Sequence, residues 1–186
     1  MTIVSNLEAI KKWLEDNVCQ YIKFKKPDDD NPLDGYNYEL VTPAVFVQYL
    51  PSKNFSNIAP PSPSICIQLE GGSDDITSRK GELNIRLGFS IWNPGMYKHL
   101  NDKLKLDLSV EGWRDPWNFI DLVLEKIENS EYIGGLRLIK ENGINFAAIS
   151  EQTNIPQFFP YWYAEIKFTL ERSVVRTKEN YRHLLD

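Results

Sequence analysis

The stretch that decides the fold is Glu82-Leu83-Asn84-Ile85-Arg86-Leu87-Gly88-Phe89-Ser90-Ile91-Trp92. Leu83, Ile85, Leu87, Phe89 and Ile91 fall on one side of a two-residue period, and Glu82, Asn84, Arg86, Gly88 and Ser90 on the other. Successive side chains of a strand point to opposite faces, so this alternation predicts a half-exposed antiparallel strand with one apolar face. The same period returns near the end of the chain. Residues 161–172 place Trp162, Ala164, Ile166, Phe168 and Leu170 inward, and Tyr163, Glu165, Lys167, Thr169 and Glu171 outward. Residues 64–70 alternate as well, with Ile65, Ile67 and Leu69 on one face. Gly71 and Gly72 then open a polar loop to Lys80.

Outward from these strands, the period changes. Residues 5–21 carry Leu7, Ile10, Leu14 and Val18 at helical spacing, with Trp13 beside them and charges opposite. This predicts an amphipathic helix, with Ser5 and Glu8 as its capping box. A second helix is expected from Asp115 to Asn129, with Asp115 as N-cap and Pro116 at the first helical position, where a missing N–H costs nothing. Its inner face is Trp117, Ile120, Val123, Leu124 and Ile127. Residues 43–50 form a short apolar run rich in β-formers, read as a strand buried on both faces. Residues 135–150 read as a hairpin turning at Asn142-Gly143. Polar or proline-rich loops are expected at 26–41, 51–63 and 93–114. Strands outnumber helices and few helices separate consecutive strands. The chain therefore reads as an α+β fold: a mainly antiparallel or mixed β-sheet covered by two amphipathic helices, a single layer of helices on one face. The expected organisation is a single domain over 1–172 and a charged C-terminal tail over 173–186.

Length and composition agree. A chain of 186 residues with 42% hydrophobic and 12% aromatic residues has enough apolar surface for one core. The net charge of −5 and the absence of a basic cluster argue against specific nucleic-acid binding, which draws most of its affinity from phosphate neutralisation. The densest basic stretch, Lys23, Lys25 and Lys26, runs into Asp28, Asp29 and Asp30. No signal-peptide pattern and no apolar run of membrane-spanning length is present, so folding in a cytoplasm and no membrane partner are expected.

The chemistry-bearing residues are sparse. Cys19 and Cys66 lie far apart and make no zinc or CxxC pattern, so buried free thiols are expected. The two histidines, His99 and His183, find no nucleophile elbow to serve. Gly71-Gly72 has neither phosphate-loop spacing, and the aspartate run at 28–30 lacks the alternating ligands, central Gly and distal Glu of a calcium loop. No catalytic residue, cofactor or metal site is expected, and the chain reads as a protein that works by binding other proteins rather than as an enzyme. Trp92, Trp113, Trp117, Phe158, Phe159, Tyr161, Trp162 and Tyr163 form an aromatic group that serves either as a second core under the loops or as an interface.

The order of elements resembles a known family. An initial amphipathic helix is followed by the strand Pro43-Ala44-Val45-Phe46-Val47 and by the long alternating strand Leu83 to Pro94. Then come the helix start Trp113-Arg114-Asp115-Pro116-Trp117 and the strand Trp162 to Leu170. In this order the chain, over about residues 1–172, is similar to phage tail terminator (tail completion) proteins. The loops 51–63 and 93–112 are longer than the usual plan. The resemblance implies a homo-hexameric ring on the last ring of the tail tube that ends tube growth and meets the head-completion proteins. In a contractile tail it would also hold the last ring of the sheath protein. It implies a place in the virion tail after assembly in the host cytoplasm. The alternatives are another head–tail connector or tail-tube subunit, or a small soluble ligand-binding domain or enzyme. A ring joins one surface of each subunit to a different surface of the next. The loops 51–63, 71–80 and 93–112 and the tail offer candidates for these contacts: Asn54, Phe55, Asp74, Asp75, Arg79, Tyr97, Trp113, Arg114, Arg172 and Arg176.

Overall fold

The computed structural model describes residues 2–27, 38–51, 62–100, 103–108, 110–149 and 160–174. The chain is α+β. Helix α1 spans Ile3–Asn17, and strands β1 (Phe24–Pro27), β2 (Tyr38–Val41), β3 (Ala44–Val47), β4 (Ser64–Asp75), β5 (Lys80–Trp92), β6 (Gly95–Leu100) and β7 (Lys103–Leu108) follow. Helix α2 spans Arg114–Glu128, and β8 (Tyr132–Ile133), β9 (Leu136–Leu138), β10 (Asn145–Ala148) and β11 (Tyr161–Ser173) complete the fold.

The two alternating stretches are the centre of the main sheet. β5 and β11 pair antiparallel along their whole length, from Tyr161 opposite Trp92 to Ser173 opposite Lys80. β4 pairs antiparallel with the other side of β5, and β3 adds a parallel edge with Ala44 opposite Ser64. The far side of β11 holds two short strands in line: β10 opposite residues 164–167 and β9 opposite Leu170 and Glu171. β8 pairs with β9. The predicted inner faces are inside. Leu83, Ile85, Leu87, Phe89 and Ile91 are buried, as are Ala164, Ile166, Phe168 and Leu170. They share one core with Leu7, Ile10, Leu14 and Val18 of the first helical stretch and with Phe119, Ile120, Val123 and Ile127 of α2. α2 packs on β5 and β11, whereas α1 touches both β3 and β8, the two ends of the strand path. The sheet therefore curls around α1. Gly134 makes the last contact possible: its φ is +59°, and a Cβ there would lie 2.6 Å from the Ala9 carbonyl.

Several local expectations are corrected. α1 starts earlier than residue 5, because Thr2 is the N-cap and its Oγ1 accepts from the Ser5 N–H at 3.1 Å. Ser5 is thus the third helical residue and not the cap. α2 likewise starts at Arg114 with Trp113 as N-cap, which puts Asp115 inside the first turn. Phe119, absent from the predicted inner face, is fully buried, and its ring lies 5.0 Å from Phe24 and 5.1 Å from Phe89. This aromatic node joins β1, β5 and α2. β3 is an edge strand in which only Val45 is buried, so the run at 43–50 is not covered on both faces. Gly71 and Gly72 do not open a loop. They lie inside β4, where a bulge between Leu69 and Gly71 shifts the register. The expected loops at 26–41 and 93–114 each contain a hairpin, β1–β2 and β6–β7. The hairpin expected at Asn142-Gly143 turns instead at Gly134-Gly135, with φ of +59° and +81° joining β8 to β9. Asn142-Gly143 belongs to a turn between two strands that share the neighbour β11.

Candidate functional site

The described surface offers three features that could act on something else: the second face of the sheet, the open sheet edges, and a groove beside α2. The second face is a ladder of charges. Lys167 Nζ lies 3.0 Å from Glu70 and 3.6 Å from Glu165, and Arg86 pairs with Glu165. Thr169 Oγ1 donates to Asn84 Oδ1 at 3.2 Å, and Lys80 reaches Glu171 at 3.1 Å. Glu165 and Thr169, expected to face solvent, are buried; Glu165 sits between Gly88 of β5 and Ala147 of β10 and is paired with Arg86 and Lys167. Charges satisfied by neighbours on adjacent strands stabilise and register the sheet.

Asp74 and Arg172 pair on the other face, at the end of the core side of the sheet, in line with Leu170 and Leu83. Arg172 is opposite Gly81, and Gly81 is opposite Asp74 on the next strand. Arg172 Nη2 reaches across the glycine to Asp74 Oδ1 at 2.6 Å. A Cβ on Gly81 would collide with that carboxylate. Both residues, expected as interface candidates, are thus bound to each other inside one subunit, and Arg172 is only 8% exposed. Asp75 and Arg79 flank the turn between β4 and β5. Asp75 Oδ1 accepts from the N–H groups of Thr77 (2.8 Å) and Ser78 (3.3 Å), and the Ser78 hydroxyl first, then these two bonds, hold its carboxyl below the usual carboxylate range. Arg79 adopts φ of +57°, and its carbonyl accepts from the Val174 N–H at 2.9 Å. The segment 71–80 is therefore a strand pair with a tight tip, not a loop. Ile76 stands at that tip, 85% exposed.

Trp113 and Arg114 form a surface pair. The guanidinium lies 5.5 Å from the indole centroid and binds Glu111 at 2.7 Å. Tyr97 lies on β6 opposite Leu106. Asn54, Phe55 and Arg176 lie outside the described residues, as do Phe158, Phe159 and His183. Of the remaining aromatic group, Trp92 and Trp162 are buried, and the Trp162 indole N–H donates to the Asn93 carbonyl at 3.2 Å.

Asn93 is the centre of the most concentrated polar cluster. Its Oδ1 accepts from Lys25 Nζ at 2.8 Å and from the Gly95 N–H at 3.0 Å, and its Nδ2 donates to Asp115 Oδ2 at 2.6 Å. Lys25 Nζ also donates to the Gly95 carbonyl. Burial pushes Asp115 up and Lys25 down, each partly offset by the other's charge. A Cβ on Gly112 would meet the Asn93 carbonyl at 2.7 Å. Asn93 therefore holds both ends of the excursion through β6 and β7, and ties it to β1 and α2. Its groups bond to one another rather than converge on an open space.

Among the described residues no cluster of three or more His, Cys, Asp or Glu could hold a metal. Cys19 and Cys66 are buried free thiols. Burial, helped by Glu15, pushes Cys19 up to about 12. Burial raises Cys66 against the opposing charge of Arg86. No described helix is long and apolar enough to cross a membrane.

The groove lies between α2 and the β9–β10 segment. It has a volume of about 500 Å³ and an apolar floor of Leu124, Leu138, Ile144 and Phe146, with Glu128 and Lys140 at its margin. Phe146 is 55% exposed and meets Trp117 edge-on at 6.4 Å. The open edges carry further apolar side chains. Tyr49 and Leu50 follow β3 at one side, where Gln48 turns the chain with φ of +70°, and Tyr132 lies on β8 at the other. Sequence reasoning missed Ile76, Tyr49 and Phe146. For Ile76 the available signal was a single aliphatic residue within the polar run Asp74-Asp75-Ile76-Thr77-Ser78. No protein-family model matches the chain, and no curated protein matches it.

Proposed function

We propose that the chain is a phage tail terminator, a ring-forming structural protein that caps the tail tube, stops its growth and forms the joint to the head-completion proteins. In a contractile tail the same ring holds the last ring of sheath. The reading rests on the order of elements, from the initial helix through the Pro43–Val47 strand to the final long strand. The observation that carries it is the pair of unlike sheet edges, neither of which pairs with a further described strand. A ring closes only through heterologous contacts, and β3 with exposed Tyr49 and Leu50 differs in sequence and geometry from the opposite side, where β8 and β10 expose Tyr132 and Phe146. The acidic balance, with a net charge of −5, suits a protein that meets proteins and lets DNA pass without gripping it. Virion location follows from the same reading.

The test is tube assembly. Tail-tube protein from the same phage is polymerised with and without this protein, and the products are viewed by electron microscopy. Shorter tubes carrying a ring at one end support the proposal. Tubes that grow to the same length, with bare ends, overturn it.

A further inference from the structure

We infer that the β6–β7 hairpin is an arm that opens as a unit about its root at Asn93, where the Lys25–Asn93–Asp115 cluster latches it, while the main sheet stays folded. Among the described strands, β6 and β7 pair only with each other and form a sheet apart from the seven-stranded sheet and from β1–β2. A two-stranded hairpin by itself is marginal in water, so its attachment to the body matters. Swinging it away breaks no bond of the main-sheet ladders.

The arm is rooted at one side chain. Going out, Gly95 has φ of +125°, a backbone conformation that favours glycine. Its N–H donates to Asn93 Oδ1 at 3.0 Å, and its carbonyl accepts from Lys25 Nζ. Coming back, Gly112 packs against Asn93, where a Cβ would lie 2.9 Å from the Asn93 Cβ. Asn93 Nδ2 ties this root to Asp115 Oδ2 at 2.6 Å.

The latch is separable from the core. The Asn93 main chain has its own partners: its N–H bonds the Pro160 carbonyl at 2.9 Å, and its carbonyl accepts from the Trp162 indole at 3.2 Å. Lys25 and Asp115 stand on β1 and α2, which Phe24 and Phe119 join inside the core with ring centroids 5.0 Å apart. The Asn93 amide therefore closes the latch between elements that are fixed without it. The latch bonds are polar and part-buried, and burial pushes Lys25 down and Asp115 up, so part of what the bonds contribute is offset. A segment held by a few polar bonds opens at lower free energy than packed core strands.

The experiment is hydrogen exchange followed by mass spectrometry on the full chain, at a concentration that holds the monomer, so that its outcome is independent of ring formation. Wild type, Asn93→Ala and Lys25→Met are compared; Lys25→Met removes the charged end of the latch and leaves the Asn93 bond to Asp115, so it tests the latch even if Asn93→Ala does not fold. Amides of 96–100 and 103–108 should exchange together and faster than those of β5 and β11 in the wild type. Each variant should speed exchange of the arm by about tenfold or more and leave β5 and β11 unchanged. An arm that exchanges at the rate of β5 and β11 belongs to the core's own cooperative unit and overturns the inference. So do variants that speed exchange equally everywhere, or leave the arm unaltered.

Discussion

Replacing Arg172 by Met should destabilise the monomer, and the size of the loss follows from the pair that it breaks. The guanidinium side chain is 7% exposed and the Asp74 side chain 19%, with 2.6 Å between Nη2 and Oδ1. Removing one member of a buried ion pair takes compensation away from the other charge, at a cost of about 3–5 kcal/mol. Asp74 is nearer the solvent, so the loss for Arg172→Met belongs at the lower end, about 3 kcal/mol. Asp74→Asn should cost somewhat less, because an amide oxygen still accepts from Arg172. The double variant should cost far less than the two losses together, with a coupling of about 1–3 kcal/mol. Gly81→Ala should disturb the same pair through the Cβ that collides with the Asp74 carboxylate. The assay is urea unfolding followed by tryptophan fluorescence, at a protein concentration low enough to hold the monomer. Additive losses, or a neutral Arg172→Met that alters only self-association, would refute the intramolecular assignment and return Arg172 to the subunit interface.

Three further outcomes are expected. Gly134→Ala should cost about 1–3 kcal/mol, since its φ of +59° and the 2.6 Å approach to the Ala9 carbonyl both disfavour a side chain; unchanged urea midpoints would contradict the packing of α1 on the β8–β9 turn. Phe119→Ala should lose about 3–5 kcal/mol by emptying the node between Phe24 and Phe89, and a loss below about 1 kcal/mol would place that ring outside the core. Cys19, held up at about 12 against an ordinary 9.0, keeps its proton in the folded chain where the unfolded chain has lost it. The folded state thus binds more protons in that window, so stability is retained below pH 9.0 and falls as pH rises toward 12. Cys19→Ala should flatten that decline, and an unchanged alkaline profile would remove Cys19 as its source.

The strands that carry the core were legible because one face of each is apolar. In β5 and β11 every second residue is apolar and buried, from Leu83 to Ile91 and from Ala164 to Leu170, whereas the burial of Ser90, Glu165 and Thr169 on the other face left no such sign. Local signals failed where tertiary partners decide. Asn142-Gly143 has hairpin chemistry, but the strands on either side both find β11, and the hairpin forms at Gly134-Gly135 instead. Gly71-Gly72 looks like a break, yet a bulge absorbs it within β4. Ser5 has the residue type of a cap, but Thr2 is the residue with the extended backbone that a cap needs. β6 and β7 were missed although Leu104, Leu106 and Leu108 alternate with polar residues; the two strands pair with each other and not with the main sheet. Asp74 and Arg172 are 98 residues apart in the chain, so no local pattern could pair them. The groove was equally hidden, because Leu124, Leu138 and Phe146 come from three different elements.

The charged second face of the sheet, the Asn93 cluster and the two buried thiols all have internal partners or buried positions that account for them. Ile76, Tyr49, Leu50, Tyr132 and Phe146 stay exposed, and exposed apolar side chains at edges and tips are the parts of a protein surface most suited to another protein. Such a surface makes the chain self-associate under the ring proposal. The direct measurement is the mass of the purified chain by light scattering over a concentration series. A ring former should grow from the 21.6 kDa chain to a closed species of six copies, about 130 kDa, with no larger polymer. A mass that stays at 21.6 kDa at every concentration would contradict the ring proposal.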